Sequence, residues 1–216
     1  MQTKQRFLFF CTCFILLLSF SGVKAQQRWS VGPRLGATIS KITGDAPNNG
    51  FLPGFTGGLY VMYSDISHFG ISGDVLFAQK GAKYDYNGTK FIQRINYIDV
   101  PIMARYFMNL KGKVRPNIFI GGNIAFLLNA KAKDRTDNGV ARPDVENTSS
   151  FASTDLGFLA GVGFNFKVSK ARWVQTDFRF QQSLTPIQIS SAPDRRNTSI
   201  NILLSYAFGV GKKYRN

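Results

Sequence analysis

Cysteine is almost missing from this chain: the 216 residues hold only Cys11 and Cys13, both inside one apolar run near the N-terminus. Beyond that run neither a disulfide framework nor a thiolate metal site can be built. Histidine is scarcer still, with His68 alone in the turn SDISH. A lone imidazole with no nucleophile, acid or second ligand at a workable spacing excludes the usual triads and zinc sites, so no catalytic residue, metal or cofactor is expected. Ser67 beside it completes no constellation. Acids are few, 12 against 27 Lys and Arg. After the first apolar run no stretch is long enough to cross a bilayer as a helix, and no segment keeps a helical period.

What is present begins with a leader. MQTKQR is short and basic, FLFFCTCFILLLSF is apolar, and SGVKA ends on Val23 and Ala25 at the small-residue positions of a signal-peptidase site. Residues 1–25 are therefore expected to be a cleaved signal peptide and residues 26–216 a single exported domain. Loss of Lys4, Arg6 and Lys24 lowers the formal charge from +15 to +12. A pI near 10.1 would suit a nucleic-acid partner, but export argues for a lipid or protein partner and no nucleic acid.

Eight segments alternate apolar and polar residues with a period of two: 29–42, 55–64, 69–83, 91–107, 115–130, 155–166, 173–182 and 197–209. Each is long enough to cross a membrane as a tilted strand. The connections alternate too. TGDAPNNGFLPG, YDYNGTK, KAKDRTDNGVARPDVENTSS and SLTPIQISSAPDRR are long, while DISH, NLKGK and KVSKA are short. Successive antiparallel strands put alternate turns at opposite ends. The expected fold is all-β, an eight-stranded antiparallel up-and-down transmembrane β-barrel in the bacterial outer membrane, with short periplasmic turns and long outer loops.

One parity of these strands is almost purely apolar and rich in Phe, Ile and Leu. The other carries Gly, Ser, Asn and Gln, with Arg34, Asp74, Lys80, Asp99, Arg105, Asp155, Asp177 and Arg179. A soluble barrel would turn the apolar parity inward, but so many large side chains would overfill a small lumen. The polar parity is therefore expected inside, its four cations meeting its four acids. Trp29, Tyr63, Phe69, Tyr106, Phe166, Trp173 and Phe208 gather near the short turns as an interfacial girdle would.

INYIDVPIMARYF, residues 95–107, condenses the pattern. Ile98, Val100, Ile102, Ala104 and Tyr106 take one face, and Tyr97, Asp99, Pro101, Met103 and Arg105 the other. A closed barrel has no edge strand to accommodate Pro101, so a local bulge is expected there. NYIDVPIMARYF and VRPNIFIGGNIAFLL together resemble two strands of the PorT-like outer-membrane β-barrel proteins of Bacteroidetes. GPRLGATISKI, TDLGFLAGVGFNF, QTDFRFQQSLTPI and NILLSYAFG resemble four others, in order. The resemblance implies an eight-stranded outer-membrane barrel, and its namesake serves type IX secretion and gliding. Many barrels end on an aromatic residue, whereas here VGKKYRN follows Phe208.

Charge placement adds a further expectation. Arg28, Lys111, Lys113, Arg115, Lys167, Lys170, Arg172, Lys212, Lys213 and Arg215 form a basic periplasmic rim opposed only by Asp65. Such a rim suits anionic lipid headgroups or an acidic periplasmic or secretion-complex protein. A monomeric, non-enzymatic barrel with a structural or binding role is the expected function, an accessory of protein secretion the alternative, and a lipid-modifying enzyme a distant third. An eight-stranded lumen holds side chains rather than a wide channel, so no porin-like conductance is expected.

Overall fold

The computed structural model describes residues 28–45, 49–64, 68–86, 88–169, 172–189 and 194–210. The expected leader lies outside them, as do Lys170, Lys212, Lys213 and Arg215 of the rim. Period-two alternation gives eight long strands: β1 (Arg28–Gly44), β2 (Leu52–Ser64), β3 (Phe69–Tyr86), β4 (Thr89–Phe107), β5 (Val114–Asp137), β6 (Thr154–Lys167), β7 (Arg172–Ser183) and β8 (Arg195–Val210). Each pairs antiparallel with its sequence neighbour. β8 then pairs with β1, from Trp29 opposite Val210 to Gly44 opposite Arg195, and closes the ring. Closure leaves no sheet edge, the condition for strands to survive in hydrocarbon.

The apolar parity faces outward. Leu59, Ile102 and Ile120 are each more than 60% exposed, and Ile71, Val75, Ile124, Phe178, Ile202 and Leu204 continue the band around the wall. A water-soluble monomer does not leave an apolar surface of that extent uncovered. Asp99, Met103 and Arg105 of β4 are buried inside, as alternation requires.

Two expectations about single residues are corrected. β4 keeps its register through Pro101, which faces Asn123 of β5 without a bulge. The β3 ladder instead omits the pairs between Gly73–Ile102 and Leu76–Asp99, so the missing N–H is absorbed by a gap and not by an extra residue. Pro33 does the same in β1, where pairing to β8 skips from Val31 to Arg34. Trp173 belongs to the lumen, not the girdle: it pairs with fully buried Ala207 and packs on the cluster of Tyr60, Met62 and Phe107. The girdle that remains includes Trp29 on Tyr63 and Phe69 on Tyr106, both at 5.3 Å between ring centres.

The long-loop end is built mostly of strand. YDYNGTK is a tight connection between β3 and β4, which pair up to Tyr86 opposite Thr89. β5 runs for 24 residues to Asp137. Asn138 and Gly139 then take φ of 47° and 83°, the left-handed pair of a hairpin turn, and Val140–Arg142 and Val145–Glu146 return along β5. A bulge lies in this extension: between Ile92–Lys133 and Lys90–Thr136 the register shifts, and Asp134 has φ of 48°. The extra residue reverses the parity of β5 beyond it.

Candidate functional site

The lumen is filled in layers. At the short-turn end Tyr60, Met62, Phe107 and Ala207 form an apolar plug with Leu110 and Trp173 against it. Above it β1, β4 and β7 bring three buried guanidiniums around two carboxylates. Arg34 reaches Asp74 at 3.0 Å and Asp177 at 3.1 Å. Arg105 reaches Asp177 at 2.6 Å, and Arg179 reaches Asp74 at 2.7 Å and Asp177 at 2.9 Å. Several remaining donors find neutral partners: Arg34 Nε donates to Ser205, and Arg105 donates to Ser72 and Asn117, while Arg179 Nε is left without one. Arg34 also lies 4.3 Å over the ring of Tyr60, and Arg105 4.3 Å over that of Phe119, where the ring faces offset the surplus positive charge.

A second layer is built on Asp99, which takes Lys80 at 3.4 Å and hydrogen bonds from Asn123 and Gln181. Asp155 enters the same lumen but pairs with no cation at bonding distance among the described residues; it accepts from Ser183 and Asn197. So seven of the eight expected interior charges are joined in two networks, and Asp155 is held by neutral donors. Opposite charges this deep are stable only when paired and hydrogen-bonded, and the polar parity supplies partners for all of these groups, with Arg179 Nε and Asp155 Oδ1 the atoms left unbonded.

Toward the long-loop end a second apolar plug contains Ile42, Ala82, Ile95, Tyr97, Ala125 and Ala130 from the strands, with Phe151 and Ile187 from the connections. Phe151 bridges Gln188, Ala152 donates to the Ile187 carbonyl, and Ile187 donates to that of Arg195. These bonds zip two loops across the mouth and carry Phe151 and Ile187 down into it. Sequence reasoning missed both residues, because the same connections carry other large apolar side chains that stay exposed, among them Leu184, Ile189 and Val145.

Over this plug opens a cleft of about 330 Å³, floored by Ile42 and Ile187, with Tyr84, Phe91, Arg135 and Arg195 among its walls. Among the described residues no group of three or more His, Cys, Asp or Glu is placed to hold a metal.

The model of the family described as outer membrane protein beta-barrel domain matches residues 24–188. The chain belongs to this family. Among solved structures, the outer membrane protein OprG from Pseudomonas aeruginosa superposes with a TM-score of 0.54 at 9% identity, covering 87% of this chain and 98% of that one. Outer Membrane Protein W of E. coli gives 0.49 at 13% identity, with 87% and 100% covered. At such identity OprG supports the fold alone. None of the curated proteins matches the chain.

In this outer-membrane barrel the short-turn end carries the rest of the expected site. Lys111, Lys113, Lys167 and Arg172 are exposed there. The turn that presents Lys111 is set by Asn109, whose side chain accepts from the Lys111 N–H at 2.9 Å, and by Gly112 at φ of 105°. Arg115 is instead drawn inward, its guanidinium 4.5 Å over the ring of Trp173. Arg28 opens β1 opposite Ser64. His68 bonds the carbonyl of Phe107 through Nδ1 and stacks on Tyr106, an arrangement that fastens a turn to a strand end.

Proposed function

We propose that this protein is a non-enzymatic binding barrel of the outer membrane, a sealed scaffold that displays a hairpin-walled mouth outside and a cationic rim in the periplasm. The observation that carries this reading is the lumen: two apolar plugs enclose buried ion networks, leaving the two ends as the working surfaces. The rim favours anionic lipid headgroups of the inner leaflet.

A second reading, an accessory of type IX secretion, is supported by the order of PorT-like strand motifs and by the exposed cations Lys111, Lys113, Lys167 and Arg172, which suit an acidic periplasmic protein. Deleting the gene and quantifying all exported proteins by mass spectrometry separates the two. The binding-barrel reading expects an unchanged exported proteome, with or without a complementing copy in which those four cations become Glu. A broad loss of exported cargo, restored by the intact gene and not by the charge-reversed copy, overturns it in favour of the secretion role.

A further inference from the structure

The mouth cleft has walls of three kinds that converge on one ligand chemistry. Its floor is apolar, from Ile42 and Ile187. One wall is flat: Tyr84 of β3 faces Phe91 of β4 in register, and their rings stack at 4.7 Å with 14° between planes. The third element is positive. Arg135 is turned toward the cleft by the bulge at Asp134, and Arg195 enters from the start of β8.

Four acids of this end already have cations: Asp194 pairs with Arg196, Asp137 with Arg142, Glu146 with Lys131 and Asp85 with Lys90, while Asp45 and Asp144 accept from the backbone N–H groups of Asp194 and Asp134. Arg135 donates to the carbonyl of Pro143 at 3.0 Å and Arg195 to that of Asp45 at 3.3 Å. These bonds orient the side chains, yet among the described residues neither meets a carboxylate. Among the described residues no acid lines the cleft. Two oriented guanidiniums with no carboxylate at bonding distance, above an apolar floor, are complementary to an anion that carries its own apolar body.

We propose that this cleft binds a small organic carboxylate with a flat apolar body, the body on the Tyr84–Phe91 wall and the plug, the carboxylate between Arg135 and Arg195. Its volume stands at the lower end of the ~300–1,000 Å³ of small-molecule sites, which selects compact ligands. The proposal rests on the reading of the barrel as a binding module and supplies its ligand class.

Naphthalene-2-carboxylate is a suitable probe. The full barrel in lipid nanodiscs is titrated calorimetrically, with empty nanodiscs as the blank. Saturable one-site binding is expected, at least tenfold weaker for naphthalene-2-carboxamide and for the combined Arg135→Gln and Arg195→Gln variant. Ala132→Trp, which fills the cleft from a small lining residue, is expected to abolish it, with strand content checked by circular dichroism. No saturable heat above the blank overturns the proposal, as does equal binding of the carboxamide or binding unchanged in both variants. Failure here with an electrically silent barrel leaves the sealed-scaffold reading in place; conductance with binding retained removes that reading alone.

Discussion

Asp177→Asn is expected to destabilise the barrel by about 3–5 kcal/mol, the range for breaking a buried ion pair by removing one partner. The fully buried carboxylate takes Arg34, Arg105 and Arg179 within 3.1 Å, so neutralising it leaves Asp74 to serve Arg34 and Arg179 and leaves Arg105 with no carboxylate. The magnitude separates two states of the lumen. In a water-filled channel the same contacts would be screened, and the loss would be about 0–1 kcal/mol, as for exposed pairs. Equilibrium urea unfolding in lipid vesicles measures it. Adding Arg105→Met should recover part of the loss, because one surplus charge leaves with it, and a double-mutant cycle should show coupling of about 1 kcal/mol or more. Additive losses would mean that the two groups do not share a dry network.

The second large effect is expected at Gly81. It lies in β3 at φ of +140°, and a Cβ there would fall 1.9 Å from the carbonyl oxygen of Gln93 on β4. Backbone strain costs about 1–3 kcal/mol, and overpacking against atoms that cannot turn aside costs about 1–3 kcal/mol more. Gly81→Ala should therefore cost about 2–6 kcal/mol. Gly139 is the control, with φ of +83° but nothing within 4 Å; its Ala variant should lose only about 1–2 kcal/mol for the left-handed backbone. Both are read from the same urea curves. Equal losses would remove the steric part of the argument. The position matters because the Gly81 carbonyl accepts from Ser40 and Ala82 belongs to the mouth plug, so displacing β3 here loosens the seal.

Much of this fold was legible because a strand's period of two writes both faces into the sequence. Asp99 and Arg105 alternate with Ile98, Ile102 and Tyr106, and the structure puts the first pair inside and the others on the wall. Parity also selected all eight interior charges, though it could not pair them: cross-lumen partners such as Arg105 and Asp177 lie 72 positions apart. What parity cannot see is where it changes. The Asp134 bulge sends Arg135 toward the cleft, and the Asn138–Gly139 turn converts an apparent loop into a hairpin; the Asn-Gly pair was a readable signal for that turn. Phe151 and Ile187 were illegible for a different reason, since their burial depends on two loops meeting across the mouth and on no local pattern. Trp173 shows the reverse error, a residue assigned by its type to the membrane interface when its parity with Gln175 and Asp177 pointed inward.

Single-channel recording of the purified barrel in a planar bilayer measures whether plugs and ion networks seal the lumen. Inserted protein is expected to show no stable open level above the bare bilayer. Long-lived, reproducible conductance steps would contradict a sealed lumen, because ions could then pass Arg34, Asp74 and Asp177 only through a lumen that is wet.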